Sequence, residues 1–345
     1  MQSKNVIRNI FLIILFALLI TSQAGTVSAG SDVWTSIGGL QGPIIVTLAI
    51  DPKTPTTLYA GTDEKGELAC LFKSTDGGWH WVHMGLNNIY VTSLAIDPKM
   101  PDTVYAATLW NGLFKTTDGG VHWNAASTGL GYLNVLSLAI DPQLTTTLYA
   151  GTDDGVYKST LGGGNWIAEK TGLTSIYVFS LAIDPKIPNT LYAATESGVF
   201  KTTDGGLNWA NSGLTSNFVH SLAIDPNTPA TLYAGTDGGV FKSTDSGGHW
   251  ANMGLSSNNV LTLAIDPQTP VTLYAGTDGG GVFMSPDSGG KWSAENTGLT
   301  SASVHSLAID PQKPTTLYAG TDGGGVFAIQ PYHFFYQYLP VVEQQ

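Results

Sequence analysis

The chain has 345 residues, of which 42 are Gly; 42% of its residues are hydrophobic and only 12% are charged. So many apolar residues exclude a disordered chain, and the lack of a Gly triplet or a heptad repeat excludes collagen and coiled coils. Without Lys4 and Arg8, which lie in the first 29 residues, 12 Lys and no Arg face 26 acidic residues, a net charge of −14. We therefore expect no nucleic-acid partner, because phosphate binding depends on cationic side chains.

The amino terminus has the pattern of a secretion signal. Lys4 and Arg8 precede an apolar run, Ile10–Ile20, and the small residues Val27–Ala29 follow, with Ala24 as an alternative cleavage point. The run is shorter than the roughly 20 residues that span a bilayer. The sequence predicts a signal peptide at residues 1–29, a secreted or cell-envelope protein, and no transmembrane span after cleavage.

A set of short motifs recurs in the same order along the chain. The motif Leu-Ala-Ile-Asp-Pro occurs seven times, at steps of 41 to 46 residues, and TLYAGT-like, GVFKST-like and DGGxxW-like segments follow most copies in the same order. The Asp positions of the motif are 51, 97, 141, 184, 225, 266 and 310. A repeat of this length without helical periodicity is typical of a β-propeller, in which each repeat is one four-stranded blade.

The four strands of a blade can be assigned from the second repeat. Residues 91–96 are predicted as strand A, 103–108 as strand B, 113–117 as strand C, and Trp123 with its followers as strand D. Each segment is rich in β-branched or aromatic residues and is bounded by turn formers.

The two ends of the repeat region indicate the number of blades. The last repeat stops after strand C, near Phe327, whereas the segment around Trp34 has the strand D pattern with nothing before it. We predict an all-β, seven-bladed propeller at residues 30–330, in which the amino-terminal strand completes the last blade. An apolar and aromatic tail, 331–345, follows.

The turn between strands C and D carries the pattern [ST]-x-D-x-G-x-x-W. Five copies are intact, whereas Leu161 replaces the Asp in the third repeat. The Asp residues are Asp76, Asp118, Asp204, Asp245 and Asp287. A carboxylate there can accept turn N–H groups, Gly supplies a positive φ, and Trp buries a large area. The pattern therefore favours a structural role over catalysis or metal binding, and Leu161 predicts a looser corner.

These turns resemble the Asp-box (BNR) repeats of sialidases, sortilin-type receptors, xyloglucanases and the photosystem II stability/assembly factor. The resemblance implies a propeller over about residues 31–330. It also implies an Arg cluster in sialidases and an Arg-rich partner face in the assembly factor, yet Arg8 is the only Arg of this chain. Sialidase activity is therefore not expected, because Lys does not reproduce the bidentate guanidinium. The assembly factor, a single exported propeller, is the closer match in layout.

The B–C and D–A loops should share one end of the ring, the top face, where loops on a rigid scaffold commonly bind ligands. Aromatic residues gather there beside carboxylates, a combination that suits a sugar ring, a peptide or a cationic group. The predicted ligand-binding residues are Tyr90, Trp110, Tyr132, Tyr177, Phe218, Glu64, Glu67, Asp153, Asp154 and Glu196. Alternatively, the acidic residues are simply good turn formers repeated with the blade.

The function that these features favour is a non-enzymatic binding or scaffold module for a glycan or protein partner. The alternative is a glycoside hydrolase that uses two top-face carboxylates, for example Glu67 and Asp153, as acid and base. His220 and His305 occupy a variable position two residues before the Leu-Ala-Ile-Asp motif, but in blades that are not adjacent. No cofactor and no metal site are therefore expected.

Overall fold

The structure is a computed structural model that describes residues 33–63, 70–130, 134–215 and 218–329. The predicted signal peptide 1–29 and tail 331–345 lie outside the described residues, as do Glu64, Glu67 and Tyr132. Within those described ranges, no helix is long and apolar enough to cross a bilayer.

The described chain forms seven four-stranded antiparallel sheets, which are the blades of the propeller. In blades one to four the strands are β2 Ile45–Ile50, β3 Leu58–Thr62, β4 Leu71–Ser74, β5 Val82–His83; β6 Val91–Ile96, β7 Val104–Thr108, β8 Leu113–Thr116, β9 Asn124–Ala125; β10 Val135–Ile140, β11 Leu148–Thr152, β12 Gly155–Ser159, β13 Ile167–Ala168; β14 Val178–Ile183, β15 Leu191–Thr195, β16 Gly198–Thr202, β17 Ala210–Thr215. In blades five to seven they are β18 Val219–Ile224, β19 Leu232–Thr236, β20 Gly239–Ser243, β21 Ala251–Asn252; β22 Val260–Ile265, β23 Leu273–Thr277, β24 Gly281–Ser285, β25 Ser293–Ala294; β26 Val304–Ile309, β27 Leu317–Thr321, β28 Gly325–Ile329 and β1 Thr35–Ile37.

The ring closes as predicted, with the amino-terminal strand in the last blade. Strand β1 pairs antiparallel with β28, so that Ser36 lies opposite Phe327 and Ile37 opposite Val326. The A strands of adjacent blades contact one another around the whole ring, including β2 with β26. Without β1, strand β28 would be the open outer edge of the last blade and would offer a template for aggregation.

Each strand A begins with a β-bulge. In every blade the pairing with strand B shifts between the first and third residues of strand A, for example between Val178 and Ser180. The second residue is therefore extra to the ladder, and bulges commonly re-aim such a side chain. These bulge residues are the variable positions of the repeat: Val46, Thr92, Leu136, Phe179, His220, Leu261 and His305.

Tryptophans that directly precede strand D connect neighbouring blades. The Trp34 Nε1–H donates to the Glu295 carbonyl of blade six at 2.6 Å, and four others donate to the preceding blade in the same way. These pairs are Trp166 with Ala126, Trp209 with Glu169, Trp250 with Ser212 and Trp292 with Met253. Strand D begins one residue after the Trp, at Asn124 in blade two, because the Trp lies between blades rather than in the ladder.

A tyrosine and a lysine clamp each of the first four blades onto the next. The Tyr59 hydroxyl and the Lys73 ammonium both donate to the Gly119 carbonyl of the neighbouring C–D turn, at 3.0 and 2.8 Å. The Lys73 Nζ also lies 5.2 Å from the Tyr59 ring centroid, a cation–π distance. Met284 replaces the lysine in blade six, which faces a blade that is closed by β1 and has no C–D turn of its own.

Candidate functional site

The five intact C–D turns share one hydrogen-bond pattern around their carboxylates. In blade four, the Thr202 hydroxyl donates to Asp204 Oδ1 at 2.7 Å, and the Asn208 backbone N–H donates to the same oxygen at 3.0 Å. The Asn208 amide donates to Asp204 Oδ2 at 2.9 Å. These bonds, that from the Asn208 side chain first, lower the pKa of Asp204 to about 2, because they favour the charged form.

The pKa of each of the other four carboxylates is lowered as well. Although burial opposes it, hydrogen bonds from His80 and Ser74 lower the pKa of Asp76 to about 2. Bonds from the residue four positions later lower the pKa of the remaining three, which are Asp118, Asp245 and Asp287. These carboxylate oxygens therefore accept hydrogen bonds from residues of their own turn.

The contribution of Asp204 to the stability of the fold should depend on pH in the acid range. Because its pKa is lowered in the folded state, its contribution is complete above the unfolded value of about 4 and is lost as the pH falls through about 2. The difference in melting temperature between the wild type and Asp204→Asn should be constant from pH 7 to 5 and shrink below pH 4 in calorimetry. Parallel curves throughout would contradict the assignment.

The third blade keeps the turn without its carboxylate. The Ser159 hydroxyl oxygen accepts the Gly163 N–H at 3.1 Å, as the Ser74 oxygen accepts that of Gly78 at 2.9 Å. The Gly162 N–H also donates to Thr146 O at 2.8 Å, so the backbone of the turn is retained. Leu161 itself is 69% exposed, and its side chain offers no acceptor to the turn.

The Leu161→Asp variant should therefore be more stable than the wild type. The new carboxylate would meet the Ser159 hydroxyl and the Asn165 N–H, as in the other blades, and an exposed apolar group would be removed. We expect the melting temperature to rise by on the order of 2 °C at pH 7. Leu161→Ala removes the same apolar surface without adding an acceptor, so an equal rise in that control would overturn the explanation.

Hydrogen bonds between loops define the top face of the ring. In blade two the Leu109 N–H of the B–C loop donates to the Tyr90 carbonyl before strand A, at 3.0 Å. Asp322 and Ser303 make the same bond in blade seven. At the opposite end, C–D turns bond to A–B turns, as in the bond from the Gly119 N–H to Asp102 O.

A continuous row of aromatic side chains crosses the top of blades four and five. Tyr177 stacks on Phe179 at 6.3 Å between ring centroids, Phe179 meets Phe218 at 4.6 Å, and Phe218 meets His220 at 4.7 Å. Tyr177 is 43% exposed, and the other three rings are half-buried. We call Tyr177, Phe179, Phe218 and His220 the aromatic row.

A carboxylate lies at each end of the aromatic row. His220 Nε2 is 2.6 Å from Asp237 Oδ1, and the Asp237 side chain is 53% exposed. At the other end, Ser175 lies two residues before Tyr177, and its hydroxyl donates to Glu196 Oε1 at 3.5 Å. Because Glu196 and Asp237 each follow the last residue of a strand B, neighbouring blades supply the same pattern of two rings and one carboxylate.

A second group of predicted residues links the tops of blades two and three. Trp110 is 56% exposed with a φ of 65°, and its N–H donates to Asn134 Oδ1 at 3.0 Å. The Asn134 amide donates to Asp153 Oδ2 at 2.6 Å, while the buried Asp153 Oδ1 has no hydrogen-bond partner among the described residues. Asp154 is engaged by Lys170 at 2.6 Å and by the Tyr157 hydroxyl at 3.0 Å.

The structure thus divides five of the ten predicted ligand-binding residues between two places. Tyr177 and Phe218 lie in the aromatic row and Glu196 is bonded to Ser175 beside it, whereas Trp110 and Asp153 belong to the second group. Phe179 is not among the predicted residues, and His220 was rejected as a metal ligand and assigned no role in binding. The described residues contain no cluster of three or more His, Cys, Asp or Glu that could hold a metal ion.

No protein-family model matches the chain, and no curated protein matches it. A GH74 enzyme from Niastella koreensis is 21% identical over 85% of this chain and 52% of its own, with a TM-score of 0.69. YCF48 bound to D1 peptide is 18% identical over 87% and 97%, with a TM-score of 0.67. The extracellular domain of BT4673 from B. thetaiotaomicron is 18% identical over 88% and 40%, with a TM-score of 0.71.

These similarities concern the fold, because every identity is below 25%. The chain spans about half the length of the GH74 structures and nearly all of YCF48. The protein is therefore a seven-bladed β-propeller, a fold that is found both in enzymes and in a protein that binds a peptide.

Proposed function

We propose that the chain is an exported binding propeller of the Asp-box class, which recognises a protein or glycan partner through its top-face loops. Residues 1–29 would be the signal peptide, 30–330 the propeller and 331–345 a separate tail. A sugar ring or a peptide side chain would stack on exposed aromatic rings, while the hydrogen-bonded loops would hold those rings in place.

The aromatic row is the observation that carries this proposal. Four rings from two blades lie in mutual contact at the top, and one of them is 43% exposed. Large apolar rings that stay partly open to solvent on a rigid scaffold commonly mark interaction sites. The complex of YCF48 with D1 peptide and the GH74 xyloglucanase from Xanthomonas campestris provide precedents for a peptide and a glycan, respectively, on this fold.

Peptide and glycan arrays test the proposal. We expect a binder whose affinity falls about tenfold or more in the Tyr177→Ala/Phe218→Ala variant, because stacked aromatic contacts dominate such sites. Leu144→Ser, which changes a 57% exposed apolar residue at an A–B turn of the other face, is the matched control. Equal affinities in all three proteins would exclude the aromatic row.

The Tyr90→Ala/Trp110→Ala variant tests the top of blades two and three on the same arrays, where the Leu109 N–H bonds to Tyr90 O and Trp110 follows Leu109. A loss of affinity there, with none in the Tyr177→Ala/Phe218→Ala variant, would move the site to blades two and three. Product analysis of any bound oligosaccharide separates binding from hydrolysis, because a released sugar would support the glycoside hydrolase alternative.

A further inference from the structure

We propose that the ligand of the aromatic row is cationic, and specifically an arginine- or lysine-bearing segment of a protein partner. This inference rests on the proposed function and names the class of partner for that site. It rests on three features: the carboxylates beside the row, the 43% exposure of Tyr177, and the distribution of lysines over the described residues.

The carboxylates are placed to receive a cation that lies along the rings. Glu196 follows Thr195, whose Cα pairs with Val178, the residue between Tyr177 and Phe179. Asp237 occupies the equivalent place beside His220, and its side chain is 53% exposed. A guanidinium or ammonium can stack on an aromatic face and bond to a carboxylate at the same time.

Among the residues that the structure describes, no lysine faces the aromatic row, and its basic ring, His220, is bonded to Asp237. Among the described lysines only Lys170 lies near a B–C loop, and Asp154 accepts its Nζ at 2.6 Å. The remaining described lysines lie in A–B turns, on strand C or in a C–D turn: Lys53, Lys73, Lys99, Lys115, Lys158, Lys186, Lys201, Lys242, Lys291 and Lys313.

Acidic groups, by contrast, recur around the top. Six of the seven B–C loops begin with an acidic residue, and the exception is Leu109 in blade two. The described members are Asp63, Asp153, Glu196, Asp237, Asp278 and Asp322. Their combined potential would attract a basic segment and repel an acidic one, and the aromatic row would then fix where it binds.

Calorimetric titration with two end-capped peptides tests the inference. One consists of repeated glycine–arginine units; the other carries citrulline, which is neutral and nearly isosteric, in place of every arginine. We expect the arginine peptide to bind about tenfold or more tightly than the citrulline peptide, and its affinity to fall as salt is raised.

Variants locate the interaction. Glu196→Gln/Asp237→Asn should weaken arginine-peptide binding about tenfold or more, and Tyr177→Ala should weaken it as well. Asp278→Asn is the control: this carboxylate also lies on the top face, where the Ser303 hydroxyl bonds to it at 2.6 Å, but in blade six. Its affinity should stay within about twofold of the wild type.

The two levels of the proposal fail in different ways. If the citrulline peptide, or a neutral array oligosaccharide, binds at least as tightly and Tyr177→Ala still weakens it, the site stands and the cationic inference is overturned. If all variants, including Asp278→Asn, bind the arginine peptide alike, or if it does not bind, the cationic inference is likewise overturned. The proposed function falls only when no array binder depends on the aromatic row or on Tyr90 and Trp110.

Discussion

The Trp34→Ala variant is expected to lose about 3 to 5 kcal/mol of unfolding free energy, the usual cost of replacing a buried Trp or Phe with Ala. Trp34 is only 2% exposed and packs with Phe327 and Val282. Its Nε1–H donates to Glu295 O, so the side chain ties the closing strand to blade six. Urea denaturation followed by circular dichroism measures the loss.

Trp79→Ala is the matched control for this variant. Trp79 follows the Gly pair of the first C–D turn and is 39% exposed, so its removal should cost far less than that of Trp34. Similar losses in both variants would mean that burial of Trp34 at the closing blade does not stabilise the ring.

The Gly198→Ala variant should lose about 3 kcal/mol or more, the combined cost of a disfavoured φ and an overpacked contact. Gly198 has a φ of 116° at the start of strand β16, directly after the B–C loop of blade four, and an added Cβ would collide with the Leu214 carbonyl. Since that neighbour is backbone, relief requires movement of strand β17. The loop also carries Glu196, so binding at the aromatic row should fall as well.

Gly279→Ala separates conformational strain from collision. Gly279 lies in the B–C loop of blade six with a φ of 84°, and no atom lies within 4 Å of an added Cβ. We expect a loss of about 1 kcal/mol from strain alone. Equal losses for Gly198→Ala and Gly279→Ala in urea denaturation would contradict the predicted collision with Leu214.

Much of the fold could be predicted because each repeat contains the same strand segments in the same order. The strand order, the seven blades and the closure by β1 follow from where the repeated segments begin and stop. The end of the last repeat near Phe327 and the isolated pattern around Trp34 were enough to pair β1 with β28.

The site was less predictable, because a bulge interrupts the regular alternation of side chains along a strand, and the direction of a bulge side chain therefore does not follow from the sequence pattern. Phe179 and His220 occupy such bulges, so their contacts with Tyr177 and Phe218 emerged only from the structure. The clamp of Tyr59 and Lys73 was missed for a related reason: its partner, Gly119, lies in the next blade. The variability of the bulge position within an otherwise uniform repeat was the signal available.

Hydrogen–deuterium exchange of the full chain, with and without the tightest array binder, tests most directly whether the top face is the binding surface. We predict that the binder slows exchange in residues 174–180 and 236–238, which flank the aromatic row, and leaves the C–D turns at 76–80 and 118–122 unchanged. Protection confined to those turns, with none beside the aromatic row, would contradict the proposal.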